Sequence, residues 1–472
     1  MNRIFSLHFR NIFFFLILCC IISLVLTKRI QLFNILPLLV FSVIGFVLYL
    51  FYLNNKSSKS FLYKLMAVTF IIKVITVFIS AEILTDIVGI PFLSYKDDYV
   101  YDITSSEILK MWKTQGIGFY EHLKFSTGFY SGYPNFSALS KYLFTDSFYV
   151  PRLMNCLFST FTVGIFYKTL GFYTDNVKNR QFTILFAFSL VFIVYSSFQL
   201  KDTLLVFFLA VIIYCCVRFI ALGMNFKVFV GLLLGSLFIL FFRAATLLPI
   251  YSALLLSYVF SKSINSRRFK VYDLISLILI TIGFLHMWDF LNQIDLLIMN
   301  SNDYFDSRFS IAGSESALSG SNSLEKLGPL SLFLGPLYIL FSLFLPTPLA
   351  ISLDDIASST NYHFIPTIQY YGILPMAIIA ILFILKFRKV NRIGFFIVIF
   401  VLTYKLGQAS SKSIFDSRQS LPAMYGMYLV LGFFNLSNPI LLKLWNKYKY
   451  IVYLILIITT FSYSFLRVQI RS

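Results

Sequence analysis

The side chains best suited to proton transfer or ion binding in this chain are two adjacent aspartates, Asp97 and Asp98, in Ser-Tyr-Lys-Asp-Asp-Tyr-Val-Tyr-Asp. Seven of the twenty acidic residues fall between Asp86 and Asp146, amid segments that are otherwise almost pure hydrocarbon. At the start of a helix an aspartate caps free backbone N–H groups and favours the helix dipole. Facing a polar cleft, the same carboxylate can take a proton from an acceptor hydroxyl or hold a divalent cation. Neighbouring side chains on a helix diverge by about 100°, so one aspartate can cap while the other points into a site.

Other residues join this pair as candidates. Asp202 follows Lys201 in Tyr-Ser-Ser-Phe-Gln-Leu-Lys-Asp, where the lysine either neutralises it at a tight turn or shares a site with it. Arg243, between two apolar runs, can clamp a phosphate or simply reach toward an interface. Arg152 and Asn155, at the head of an apolar segment, can bind phosphate or bond across helices. Tyr101 and Tyr133 are candidates for sugar contact, although a lipid interface also attracts tyrosines. Arg308 and Arg418 complete the candidate binding set. Lys73, within an apolar run, is costly in lipid and must face protein or water. No metal is assigned; a divalent cation is compatible with the carboxylates.

The elements that must position these residues are helices in a membrane. Hydrophobic residues make up 58% of the chain and charged ones 12%, and apolar runs of about 17 to 25 residues, the length of a bilayer crossing, recur throughout. Lipid leaves backbone groups no partners outside the segment, which favours helices over open sheets. The expected fold is all-α and polytopic, with about 12–14 transmembrane segments. The apolar windows are 11–27, 31–53, 65–84, 148–171, 181–199, 203–222, 227–242, 244–260, 271–289, 369–386, 393–409, 420–442 and 449–466. The whole chain, 1–472, forms one membrane domain.

The net charge of +19 does not imply nucleic-acid binding here, because the basic residues cluster at the ends of apolar segments. Such clusters orient a membrane protein by staying in the cytoplasm. That rule puts the N-terminus inside and the loops 85–147 and 290–327, which hold most of the acidic residues, outside. It works only if 328–352, interrupted by Gly328-Pro329, Gly335-Pro336 and Pro346-Thr-Pro348, does not cross completely. In the first outer loop a helix is expected from Asp97 to about Lys113, its stripe of Ile108, Met111 and Trp112 lying on the membrane surface. An irregular loop through Gly128 and Pro134 should then descend into a second short helix. The five cysteines, Cys19, Cys20, Cys156, Cys215 and Cys216, all fall in apolar windows and show no disulfide or metal-binding spacing. The first apolar segment lacks a small-residue cleavage site and reads as a retained span.

Asp98-x-x-Tyr101, Trp112-x-x-x-Gly116, Gly132-Tyr-Pro, Leu143-Phe144, Pro-Arg152-Leu-Met-Asn155, Tyr-Ser-Ser with Lys201-Asp202, and Arg418-x-x-x-Pro422 occur in that order. In order and spacing they resemble the bacterial membrane glycosyltransferases of the GT-C superfamily, over roughly 95–245 plus the Pro346-Thr-Pro348 and Arg418 regions. The resemblance implies transfer from a polyprenyl-phosphate-linked sugar or oligosaccharide to a glycan or lipid acceptor, at the outer face of a bacterial inner membrane. It implies Asp98 or Asp97 as the catalytic acidic residue and Asp202 as a second carboxylate. The chain departs from the family in carrying two extra spans before the acidic loop and Lys-Asp where Lys-Glu is usual. A weaker resemblance, through Arg308, Arg418 and the aromatic-rich composition, is to Wzy-type O-antigen or capsule repeat-unit polymerases. A flippase or transporter is the nonenzymatic alternative; two similar halves and charges deep within several spans would mark it.

Overall fold

The computed structural model describes residues 58–92, 97–115, 132–144, 146–260, 361–387, 391–410, 420–435 and 438–471. Every regular element among them is helical. In chain order they are α1 (Ser58–Val88), α2 (Asp97–Gln115), α3 (Gly132–Leu143), α4 (Tyr149–Leu170), α5 (Asn176–Ala187), α6 (Leu190–Ser196), α7 (Asp202–Leu222), α8 (Phe226–Arg243), α9 (Leu247–Phe260), α10 (Asn361–Lys386), α11 (Arg392–Ser410), α12 (Leu421–Val430) and α13 (Pro439–Arg471). Among the described residues three helices are long and apolar enough to cross a membrane: Phe61–Asp86 within α1, α7 and α8. The bent pair α5–α6 makes a fourth if it is one span. The windows 11–27, 31–53, 271–289 and 328–352 lie outside the described residues.

The core is built around α4 and α7. α7 is the most enclosed of the long apolar helices and packs on α4, α8 and α12, while α4 also packs on α1, α3, α5 and α6. α4 is not apolar all round: Arg152, Asn155, Ser159, Thr160 and Thr162 are all buried on it. Neighbouring helices cover that polar face, as is required wherever polar groups leave water. On the other side, α8 presents Gly231 and Gly235, a small-xxx-small pair, to α7. A Cβ at Gly231 would lie 2.5 Å from Cys215 Sγ, and one at Gly235 2.7 Å from Ile212 Cγ1. Only glycine permits this approach, and close backbone contact is what holds helices together when lipid gives no hydrophobic drive.

Several sequence expectations change at this level. The window 181–199 is not one helix: α5 ends at Ala187, α6 resumes at Leu190, and the two are bent by 47°. At the break the Tyr428 hydroxyl donates to Ser189 Oγ at 2.9 Å, so α12 supports the kink. The window 420–442 is likewise divided. α12 gives way to a 3-10 turn at Leu431–Phe433, and α13 begins at Pro439, a residue that suits a first helical turn because it has no N–H to lose. Lys443, Lys447 and Lys449 therefore lie inside a helix. α3 begins at Gly132, earlier than Pro134 suggests, and the proline sits in its first turn. The stripe on α2 meets protein at Ile108 and Trp112. Ile108 is buried, Trp112 meets Tyr142 of α3 edge-on at 6.3 Å, and α2 packs on α3.

Candidate functional site

One end of the bundle gathers the carboxylates and arginines that stand out in the sequence. α2 brings Asp97, Asp98, Tyr101 and Asp102; α3 brings Tyr133 and Lys141; the heads of α4 and α7 bring Arg152, Asn155 and Asp202. The end of α8 brings Arg243 and that of α11 brings Tyr404.

Asp97 and Asp98 form the first turn of α2. Asp98 is buried, Asp97 half-buried, and the backbone N–H of Tyr99 donates to Asp98 Oδ1 at 3.1 Å. The carboxylates of Asp98 and Asp102 are the acidic groups that act on the Arg152 guanidinium. Arg152 is fully buried. It donates from Nη2 to the Pro91 carbonyl and stands 5.1 Å from the Phe92 ring centre, 5.0 Å from Phe148 and 5.9 Å from Phe198. Aromatic faces stabilise a cation in a place where water is absent.

The α2–α3 hairpin is fixed by a lysine. Lys141 Nζ donates to Asp102 Oδ1 at 2.7 Å and to Ser106 Oγ at 2.8 Å, and Asp146 lies 3.9 Å away. Tyr101 and Tyr133 meet edge-on at 5.1 Å. Asn155 then joins three elements: its Nδ2 donates to Tyr133 Oη at 2.8 Å, to the Phe198 carbonyl at 2.8 Å and to the Leu200 carbonyl at 3.1 Å. The amide has two hydrogens for three acceptors, so one is shared. Gly132 seats α3 against α8, where a Cβ would fall 2.5 Å from the Phe241 carbonyl oxygen.

The second carboxylate is equally enclosed. Asp202 is buried at the head of α7 and pairs with Arg243 Nη2 at 3.6 Å, longer than a hydrogen bond. Tyr404 lies beside both. Lys201 is also buried. Next to this group, Lys405 of α11 donates to Ser420 Oγ at 2.8 Å. Asp98, Tyr101, Tyr133, Arg152, Lys201, Asp202 and Arg243 therefore share one end of the bundle. Arg308 and Arg418 lie outside the described residues. Lys73 sits apart, donating to Ser159 Oγ at 2.6 Å beside a cavity of about 10 Å³ lined by Ser159, Thr162, Tyr195 and Thr203. That volume suits about one water molecule.

Lys141, Tyr404, Lys405 and Gln199 are not among the residues that stand out in the sequence. Lys405 and Gln199 carried a signal, each being a polar residue within an apolar window. Lys141 and Tyr404 did not, since their partners are distant in sequence. Comparison with protein-family models and with characterised proteins finds no match to this chain.

Basic residues mark the opposite end. Arg180 lies 5.4 Å from the Phe61 ring centre and Arg392 4.7 Å from that of Tyr258. There Asp175 caps α5, accepting from Lys178 N at 2.9 Å. Burial opposes its charge, but hydrogen bonds and the Lys178 ammonium outweigh burial and hold the carboxyl below its ordinary range.

Proposed function

We propose that this chain is an integral membrane glycosyltransferase with about 12–14 spans, transferring a sugar from a polyprenyl-phosphate-linked donor to a glycan or lipid acceptor. The reaction takes place at the extracytoplasmic face of a bacterial inner membrane, with the N-terminus in the cytoplasm. The observation that carries this reading is that two buried carboxylates, Asp98 and Asp202, each with an arginine nearby, share one end of a bundle whose other end is basic. Lysines and arginines clustered at the end opposite the site, among them Lys178, Arg180 and Arg392, are what the positive-inside rule places in the cytoplasm.

The reaction is an inverting displacement. The acceptor hydroxyl oxygen attacks the anomeric carbon, Asp98 or Asp97 takes the hydroxyl proton, and the bond from that carbon to the phosphate oxygen breaks. The polyprenyl phosphate leaves with the electron pair, its charge met by Arg243 or Arg152. General-base help and a preorganised cation at the leaving group are the two contributions such a step needs.

The test is complementation of a deletion strain with Asp98→Asn and Asp97→Asn variants. Asn caps a helix about as well as Asp, so Asp97→Asn should fold and insert near normally. Asp98→Asn also removes a countercharge of buried Arg152, so its activity is read per amount of folded protein, and at least one variant is expected to lose glycan addition. The accumulating lipid-linked glycan should lack one sugar. Complete single repeat units would instead identify a polymerase, and wild-type glycan from both variants would reduce the pair to a cap.

A further inference from the structure

The turn between α6 and α7 contains an amide with no evident structural purpose. Gln199 is fully buried, yet neither its Oε1 nor its Nε2 has a hydrogen-bond partner among the described residues. Two neighbours share this condition: Arg152 keeps Nε and Nη1 unused, and Asn155 keeps Oδ1 unused. The three belong together. Arg152 and Asn155 are one turn apart on α4, the spacing that puts side chains on one face. Asn155 binds the carbonyls on either side of Gln199, and the Phe198 ring faces the Arg152 guanidinium.

Leaving a buried donor or acceptor unpaired forfeits its hydration without replacement, at greater cost for a charged group. An apolar side chain of the same shape would avoid that cost at Gln199. A cluster with five such atoms on three residues, counted among the described residues, is where a polar ligand would offset that cost. Its composition indicates the ligand. Two guanidinium nitrogens without a partner among the described residues, Nε and Nη1, carry three N–H groups between them, which select an anion and suit a phosphate. The acceptors Asn155 Oδ1 and Gln199 Oε1 repel a bare anion but accept from hydroxyls, and Gln199 Nε2 donates to a hydroxyl or ring oxygen.

We infer that Arg152, Asn155 and Gln199 form the recognition pocket for a glycosyl phosphate, with Arg152 on the phosphate and the two amides on the sugar hydroxyls. This rests on the transferase reading and adds to it the residues that distinguish a sugar-bearing lipid from the spent carrier. Gln199 is the specificity-determining residue.

The experiment measures binding to the full-length protein in detergent. The probes are polyprenyl phosphate without sugar, and polyprenyl phosphate carrying glucose, galactose, mannose or N-acetylglucosamine. Wild type should bind at least one sugar-bearing lipid about ten-fold more tightly than the bare phosphate, the scale of one or two hydrogen bonds. Gln199→Met, which conserves volume, should remove that preference, leave affinity for polyprenyl phosphate unchanged and raise Tm. Arg152→Lys, which keeps the buried charge but loses the planar fork, should weaken every probe.

If Gln199→Met and Arg152→Lys bind all probes as wild type does, the pocket assignment fails while the transferase reading stands. Absence of any sugar preference in wild type overturns the role of the amides. If wild type binds none of the lipids, both readings fall.

Discussion

Asp202 and Arg243 are the pair in which structure and chemistry are hardest to separate, because each neutralises the other away from water. Removing one partner of a buried ion pair costs about 3–5 kcal/mol, mostly from the uncompensated charge left behind. Asp202→Asn is therefore expected to lower both folded yield and glycan addition. The double variant Asp202→Asn/Arg243→Gln removes both charges of the pair together and should recover folded yield, read as the amount extracted in monodisperse form, while activity stays lost. Recovery of activity by the double variant would make the pair structural. Lys73 is the contrasting case. It lies off the site, and Lys73→Met should retain activity with unchanged or higher thermal stability, since apolar replacements of buried charges are often neutral or stabilising; loss of activity in a well-folded Lys73→Met protein would show that its charge is used. Residue types alone exposed most of this end of the bundle, since aspartate and arginine are rare enough in lipid-rich sequence to stand out. What they did not reveal is pairing. Sequence adjacency offers Lys201 as the partner of Asp202; the fold adds Arg243, from the end of another helix.

At the scale of elements, the α2–α3 hairpin sets where Asp98 stands, and two contacts hold it. Lys141 ties α3 to α2 through Asp102 and Ser106, and Gly132 presses α3 onto α8. Gly132→Ala places a methyl against backbone, which cannot rotate away, so α3 must shift; overpacking of this kind costs about 1–3 kcal/mol. The expected outcome is a lower Tm together with reduced glycan addition, whereas Leu139→Ala, at an exposed position on the same helix, should change neither. Equal effects from the two would mean that α3 does not position the site. Hydropathy revealed where helices run but not where they stop. Phe188–Ser189 interrupts a helix inside an apolar window where the chain carries no proline, and the break is held by a tertiary partner, Tyr428; the later interruption before Pro439 does carry that signal. The stripe on α2 was legible, but the surface it covers was not, because a protein neighbour and a lipid headgroup layer select the same side chains.

Across the whole molecule, the described helices alternate between the acidic and the basic end, and this alternation constrains the chain between them. α9 leaves the site end just after Arg243 and finishes beside Arg392, which lies over Tyr258. α10 finishes at the basic end too: Ile384 and Phe433 both crowd Gly394 at the head of α11. A helix of 26 residues is about 39 Å long at 1.5 Å per residue, so α10 starts at the site end. The chain therefore leaves Phe260 at one end and re-enters at Asn361 at the other, which requires an odd number of crossings. The sequence of 261–360 contains two apolar stretches, 271–289 and 328–352, and the alternation predicts that one of them crosses fully. The proline- and glycine-interrupted 328–352 is the one expected not to. Single cysteines at Leu324 and Asp355 in a cysteine-free background should react with an impermeant thiol reagent from the same side, the side that also exposes Ser126. A cysteine at Ser266 should be protected in intact cells until the membrane is permeabilised. Labelling of Leu324 and Asp355 from opposite sides would break the alternation, and labelling of Ser266 from outside would invert it, moving the acidic end and the proposed transfer reaction to the cytoplasm.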